Sequence, residues 1–145
     1  MVALLDVNVL VALAWPNHVH HAVAQRWFAR REREEWATCP LTQSGFVRVS
    51  SNPRALPTAV MPEEAILALR RIVELPRHVF WVDDVSLATS EHVDLDRLLS
   101  YRRVTDAHLL ALALHRGGRL ATLDRRILGL VPSGVAEAIA VELLA

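Results

Sequence analysis

The 145-residue sequence contains no lysine; all sixteen of its basic residues are arginine. That excludes any mechanism built on a lysine amine. A single cysteine, Cys39, rules out an internal disulfide and fits a reducing, cytoplasmic setting. No apolar stretch reaches the roughly 20 residues of a membrane-spanning helix. No basic segment precedes the first apolar run, as a secretory leader would require. Net charge is missing too, because sixteen acidic residues balance the sixteen basic ones. Bulk composition therefore carries no footprint of a polyanionic partner, and any contact with nucleic acid has to be a local patch.

Apolar residues are plentiful by contrast, at 52% of the chain with a mean hydropathy of +0.25. That is enough for a sizeable core, with some apolar surface left for a partner or a second subunit. The length suits one domain spanning 1–145. Short apolar runs alternate with helical patterns. Val2–Leu5, "WATC", "HVFWV" and "RLATL" read as buried strands. Asn8–Trp15, "HVHHAVAQRWFARREREE", "LTQSGFVRVSS", "MPEEAILALRRIVEL" and "TDAHLLALALHR" read as helices. The last of these is expected to be capped by Thr105 and stopped by Gly117 and Gly118. Residues 83–103 read as helix mixed with loops, and "GVAEAIAVELL" is ambiguous between helix and strand. Strands alternating with helices predict an α/β fold, a three-layer α/β/α sandwich around a parallel sheet.

In such a sheet, ligands bind outside the carboxyl ends of the strands. Asp6 follows the first strand directly, and Asp124 follows the fourth. Both are expected on one rim. Asp106 heads the helix that leads into the fourth strand, and how that helix packs decides whether it faces the same rim. Each acid has a bland reading, as a helix-start or turn residue. Three carboxylates on one rim, however, repel each other and raise each other's pKa unless a cation neutralises them. Ligands that are all oxygen favour Mg²⁺ or Mn²⁺, ions suited to phosphoryl chemistry.

The segments "LLDVNVLVAL", "TCPLTQSGFVRVSSNP", "RRVTDAHLLALAL" and "RLATLD", in that order, resemble the PIN-domain ribonucleases. More narrowly, they resemble the VapC-type toxins of toxin–antitoxin modules. The resemblance implies a PIN-like sandwich, Mg²⁺- or Mn²⁺-dependent cleavage of RNA, a cognate antitoxin and a homodimer. It places Asp6, Asp106 and Asp124 at the metal-site positions. Asn8 and Thr122 fall at polar positions beside the first and last acids. Gln43 stands where the family usually carries a glutamate. A glutamine hydrogen-bonds a water but holds no charge and accepts no proton, so tight binding of a second metal is in question.

Arg102 and Arg103, just before Asp106, are the favoured contacts to RNA phosphates. Trp15, Trp27, Trp36 and Trp81 are candidates for stacking on bases, although Trp27 and Trp81 fall on core periodicity. His18 and His21 share a helix face but lack further ligands at a useful spacing, which argues against a zinc site. Two rivals to a nuclease remain. An aspartate-nucleophile phosphatase fits "LLDVNV", but it wants a second acid where Asn8 stands and usually a lysine. A catalytically weakened module that only binds RNA or protein is favoured by Gln43 alone.

Overall fold

The computed structural model describes residues 1–145. Five short strands form one sheet: β1 (Ala3–Leu5), β2 (Trp36–Thr38), β3 (His78–Phe80), β4 (Arg119–Thr122) and β5 (Val141–Leu143). They lie in the order β3-β2-β1-β4-β5, and every neighbouring pair is parallel. The α/β/α expectation holds. β1 explains why its sequence is continuously apolar. It is central, its three residues are fully buried, and both of its faces are covered.

Side chains leave the strands alternately to the two faces, and so build two cores. Ala3 and Leu5 join Val9, Leu10, Trp27, Trp36, Phe46 and Leu69 on one face. That face is covered by α1 (Val7–Ala14), α2 (His21–Ala29), α3 (Pro40–Ser50) and α4 (Pro62–Val73). Leu4 joins Leu109, Leu110, Leu112, Ile127 and Val141 on the other. There α5 (Val104–His115) and the short α6 (Glu137–Ala140) pack. Helix α5 is buried almost all round, as its "AHLLALAL" run requires. No helix is long and apolar enough to cross a membrane.

Three local readings change. The charged tail after Ala29 leaves the helix, because residues 30–35 have no apolar face to bury. Thr105 does not cap α5; a 3-10 turn over Tyr101–Arg103 runs straight into the helix and places Arg103 at the cap position. Residues 83–100 form turns without regular helix. The ambiguous C-terminal stretch is both things in succession, α6 followed by β5.

Between β1 and β4 the chain's strand order reverses direction, the place where such sheets leave a crevice. Leu5 pairs with Ala121 there, and the Asp6 amide donates to the Ala121 carbonyl at 2.9 Å. Helix α3 lies against the first turn of α1 through Gly45. A Cβ at that position would stand 2.5 Å from Cγ2 of Val7. The missing side chain is thus what lets α3 pack beside Asp6.

Candidate active site

Asp6 and Asp124 each end a strand segment and cap the helical turn that follows. Asp6 Oδ1 accepts from the Val7 amide at 2.7 Å, opening α1. Asp124 Oδ1 accepts from the Arg126 amide at 2.9 Å, opening a 3-10 turn over Arg125–Leu130. Asp106 lies in the first turn of α5, where the helix dipole favours a carboxylate. The bland readings of these acids are therefore true as far as they go. They do not account for the mutual charge effects of the three groups.

Asp6 is buried, and its carboxyl is pushed up from 3.8 to about 6, first by loss of water and further by the charges of Asp106 and Asp124. Asp106 is also raised, by burial first, with Asp124 adding to it against the pull of Arg103. The three carboxyls thus sit within electrostatic reach of one another at one end of the sheet. Asp124 goes the other way, held down at about 2 chiefly by its hydrogen bonds from Arg126.

Asn8 and Thr122 knit the acids together. The buried Thr122 hydroxyl donates to Asp6 Oδ2 at 2.7 Å. It accepts from the Asn8 amide at 3.2 Å and from the Asp124 backbone N–H at 3.0 Å. Asn8 also donates to Asp6 Oδ2 at 3.2 Å and accepts from the Leu123 N–H at 3.1 Å. One hydroxyl and one amide therefore fix the ends of β1 and β4 relative to each other.

Gln43 is not part of that network. Its amide donates to Thr38 Oγ1 at 3.0 Å, and Thr38 Oγ1 lies 2.7 Å from Nε2 of His78. Burial lowers the His78 pKa and favours its neutral ring. No hydrogen bond joins Gln43 to the three aspartates. Arg102 is exposed, its guanidinium resting against Tyr101.

Arg103 was expected to face RNA. Instead its Nη1 lies 2.9 Å from Asp106 Oδ2 and 3.1 Å from Asp124 Oδ2, a single nitrogen bridging two carboxylates. Arg126 adds a fork to Asp124, with Nε at 2.9 Å from Oδ1 and Nη2 at 3.1 Å from Oδ2. Sequence reasoning missed this pairing of Arg126. The only available signal was its position two residues after an acid.

Other candidates fall away from the site. Trp36 is buried, which removes it as a base-stacking surface. The Trp15 and Trp27 indole N–H groups are committed to Ser50 and Glu142. His21 Nδ1 is bonded to the Ala12 carbonyl, and His18 Nδ1 accepts from the His20 amide. Asp83 Oδ2 pairs with His108 Nε2 at 2.7 Å.

No three His, Cys, Asp or Glu side chains stand at gripping distance for a metal ion as they are placed. The chemistry of the donor set nevertheless fits a hard dication: three carboxylates, all oxygen, with a cationic nitrogen lodged between two of them as a stand-in.

A parallel sheet with aspartates gathered at its switch point is the architecture of the PIN domain, and the chain belongs to that family, which residues 3–130 match. Its relatives narrow the type to VapC. The chain is 49% identical over 137 residues to Ribonuclease VapC39 of Mycobacterium tuberculosis, covering 94% of this chain and 99% of that one. It is 52% identical over 122 residues to Ribonuclease VapC38 of the same organism, covering 84% of each. The fold is also that of the crystal structure of M. tuberculosis VapC20, a toxin that cleaves the sarcin–ricin loop. That likeness has a TM-score of 0.61 at 14% identity, over 94% of this chain and 98% of the other.

The pKa of Asp6 has a consequence for stability. Between about pH 4 and 6 the folded protein holds a proton that the unfolded chain has released, so stability falls as pH rises through that window. The gap between 3.8 and about 6 corresponds to about 3 kcal/mol at most. Asp124 has the opposite sign: its contribution is present above about pH 4 and is lost as pH falls toward about 2. Urea denaturation of metal-free protein between pH 4 and 7.5 is expected to give a falling midpoint, and the Asp6→Asn variant a flatter one.

Proposed function

We propose that this protein is a metal-dependent endoribonuclease, the toxin of a toxin–antitoxin pair. The observation that carries the reading is the convergence of Asp6, Asp106 and Asp124 at the β1/β4 switch point, with burial and mutual charge raising two of the three. Its membership among the VapC-type ribonucleases supports the same conclusion.

Asp6, Asp106 and Asp124 would hold Mg²⁺ or Mn²⁺. Such an ion, when bound, acidifies a water for attack on phosphorus and balances charge on the phosphate oxygens. Thr122 and Asn8 hold the Asp6 carboxylate in one orientation, leaving its ionised form available to a cation. Arg102, exposed beside the first turn of α5, meets the RNA backbone phosphates. Gln43 orients a water or the chain end of β2 through Thr38, without charge of its own. RNA is the substrate, and an antitoxin covers the site in the resting complex. The protein works as a homodimer, in the cytoplasm.

One observation favours the weaker reading, a module that binds RNA without cutting it. Gln43 brings no fourth carboxylate and bonds away from the acids. Purified protein incubated with total cellular RNA, with and without Mn²⁺, separates the two. Discrete new 5′ ends that require Mn²⁺ and vanish in Asp106→Asn support the nuclease. RNA retained on the protein but intact in both conditions would overturn it.

A further inference from the structure

The geometry points to Arg103 as a built-in competitor for the metal site: its guanidinium occupies the space between Asp106 and Asp124 in the metal-free protein and has to leave for a dication to bind. This deepens the metal-site reading above and rests on it.

The contacts argue for displacement rather than coexistence. A single nitrogen, Nη1, touches Oδ2 of both carboxylates at 2.9 and 3.1 Å. Both oxygens belong to carboxylates that would hold the ion. An N–H donor and a closely held Mg²⁺ compete for electron density on the same carboxylate oxygens, so the Arg103 bridge weakens their hold on an ion. A dication and a guanidinium at this spacing also repel each other strongly.

Arg103 differs from its neighbour Arg126 in what its departure costs. The Arg126 side chain is 74% exposed and its pairing with Asp124 is screened by water. The side chains of Arg103, Asp106 and Asp124 are only about 20% exposed (19%, 20% and 20%). Removing Arg103 leaves two half-buried carboxylates facing each other with only Arg126 and water to compensate. The pair therefore holds the site together until metal arrives, and its free energy is subtracted from metal affinity. Arg103 stands at the junction of the 3-10 turn and α5, and its side chain makes no cap hydrogen bond that its departure would break.

A stabilising contact and an inhibiting one are thus the same contact. That yields a sign a purely structural arginine would not give. In Arg103→Gln, the metal-free protein melts at a lower temperature, while Mn²⁺ binds more tightly, by roughly tenfold for a coupling of ordinary size. A structural arginine would lower both. Arg103→Lys, which keeps the charge but loses the guanidinium, serves if the glutamine variant does not fold; it tightens Mn²⁺ by a smaller factor.

The measurement is Mn²⁺ binding without RNA, read from loss of the free aqueous Mn²⁺ signal in electron paramagnetic resonance, paired with thermal melts of the metal-free proteins. Asp106→Asn is the control for the site itself. Equal or weaker Mn²⁺ affinity in the Arg103 variants, with Asp106→Asn still abolishing uptake, overturns the competitor role and leaves the metal-site reading standing. Absence of Mn²⁺ uptake in wild type overturns both.

Discussion

Asp6→Asn is expected to lower RNA cleavage by about a thousandfold, the scale on which single preorganised charge-stabilising groups act, while leaving the fold intact and raising metal-free stability at neutral pH. The two effects share one cause. Asp6 is 6% exposed and lies near the charges of Asp106 and Asp124. Keeping it ionised above about pH 6 costs folding free energy. A neutral amide removes that cost and removes the anionic ligand with it. The gain is trimmed by hydrogen bonding, because Asp6 accepts from Val7, Thr122 and Asn8 through two oxygens and an asparagine has one. Thermal melts at pH 7.5 in chelator, beside cleavage rates in Mn²⁺, check both halves. The same exchange at Asp124 should destabilise, since Arg126 and Arg103 hold that carboxylate ionised. Relief of repulsion is thus not common to all three acids, as an equal cluster of charges would suggest.

Thr122→Val should cost about 2–4 kcal/mol of stability, because a fully buried hydroxyl with three partners is removed and no water replaces it. The shape is nearly unchanged, so the loss is one of hydrogen bonding. Asp6 Oδ2 keeps only its bond from Asn8, and the Asp124 amide loses its acceptor. Cleavage should fall by about 10- to 100-fold, the range for loss of a group that orients a metal ligand. Thr122→Ser keeps the hydroxyl and should recover most of both quantities. Urea denaturation midpoints and single-turnover cleavage rates provide the comparison. A valine variant with wild-type stability would mean that the Thr122 hydroxyl is idle.

Much of this was legible in the amino-acid order. "ALL" before Asp6 and "RLAT" two residues before Asp124 are apolar runs that end at acids, and parallel neighbours must bring such ends to one rim. Helices α4 and α5 announce themselves by Pro62, Glu63 and Glu64, by Arg70 and Arg71, and by Gly117 in its left-handed turn. Other features depend on tertiary context. Nothing local tells that Thr105 would lose the cap to a preceding 3-10 turn, or that Trp36 rather than Trp81 would be sealed in the core. Residues 83–100 lack periodicity because their polar groups bond in local turns and in the Asp83–His108 pair rather than along a helix. The position of Arg103 was least legible of all. An arginine before an acidic site reads as a phosphate contact, and only the packing of α5 against the 3-10 turn over 125–130 turns it inward between two carboxylates.

Isothermal titration of Mn²⁺ into chelator-stripped protein at pH 7.5, without RNA, tests most directly whether these carboxylates form a cation site. Saturable uptake by wild type that disappears in both Asp6→Asn and Asp106→Asn is the predicted result. No uptake by wild type, or uptake untouched by either substitution, would contradict it.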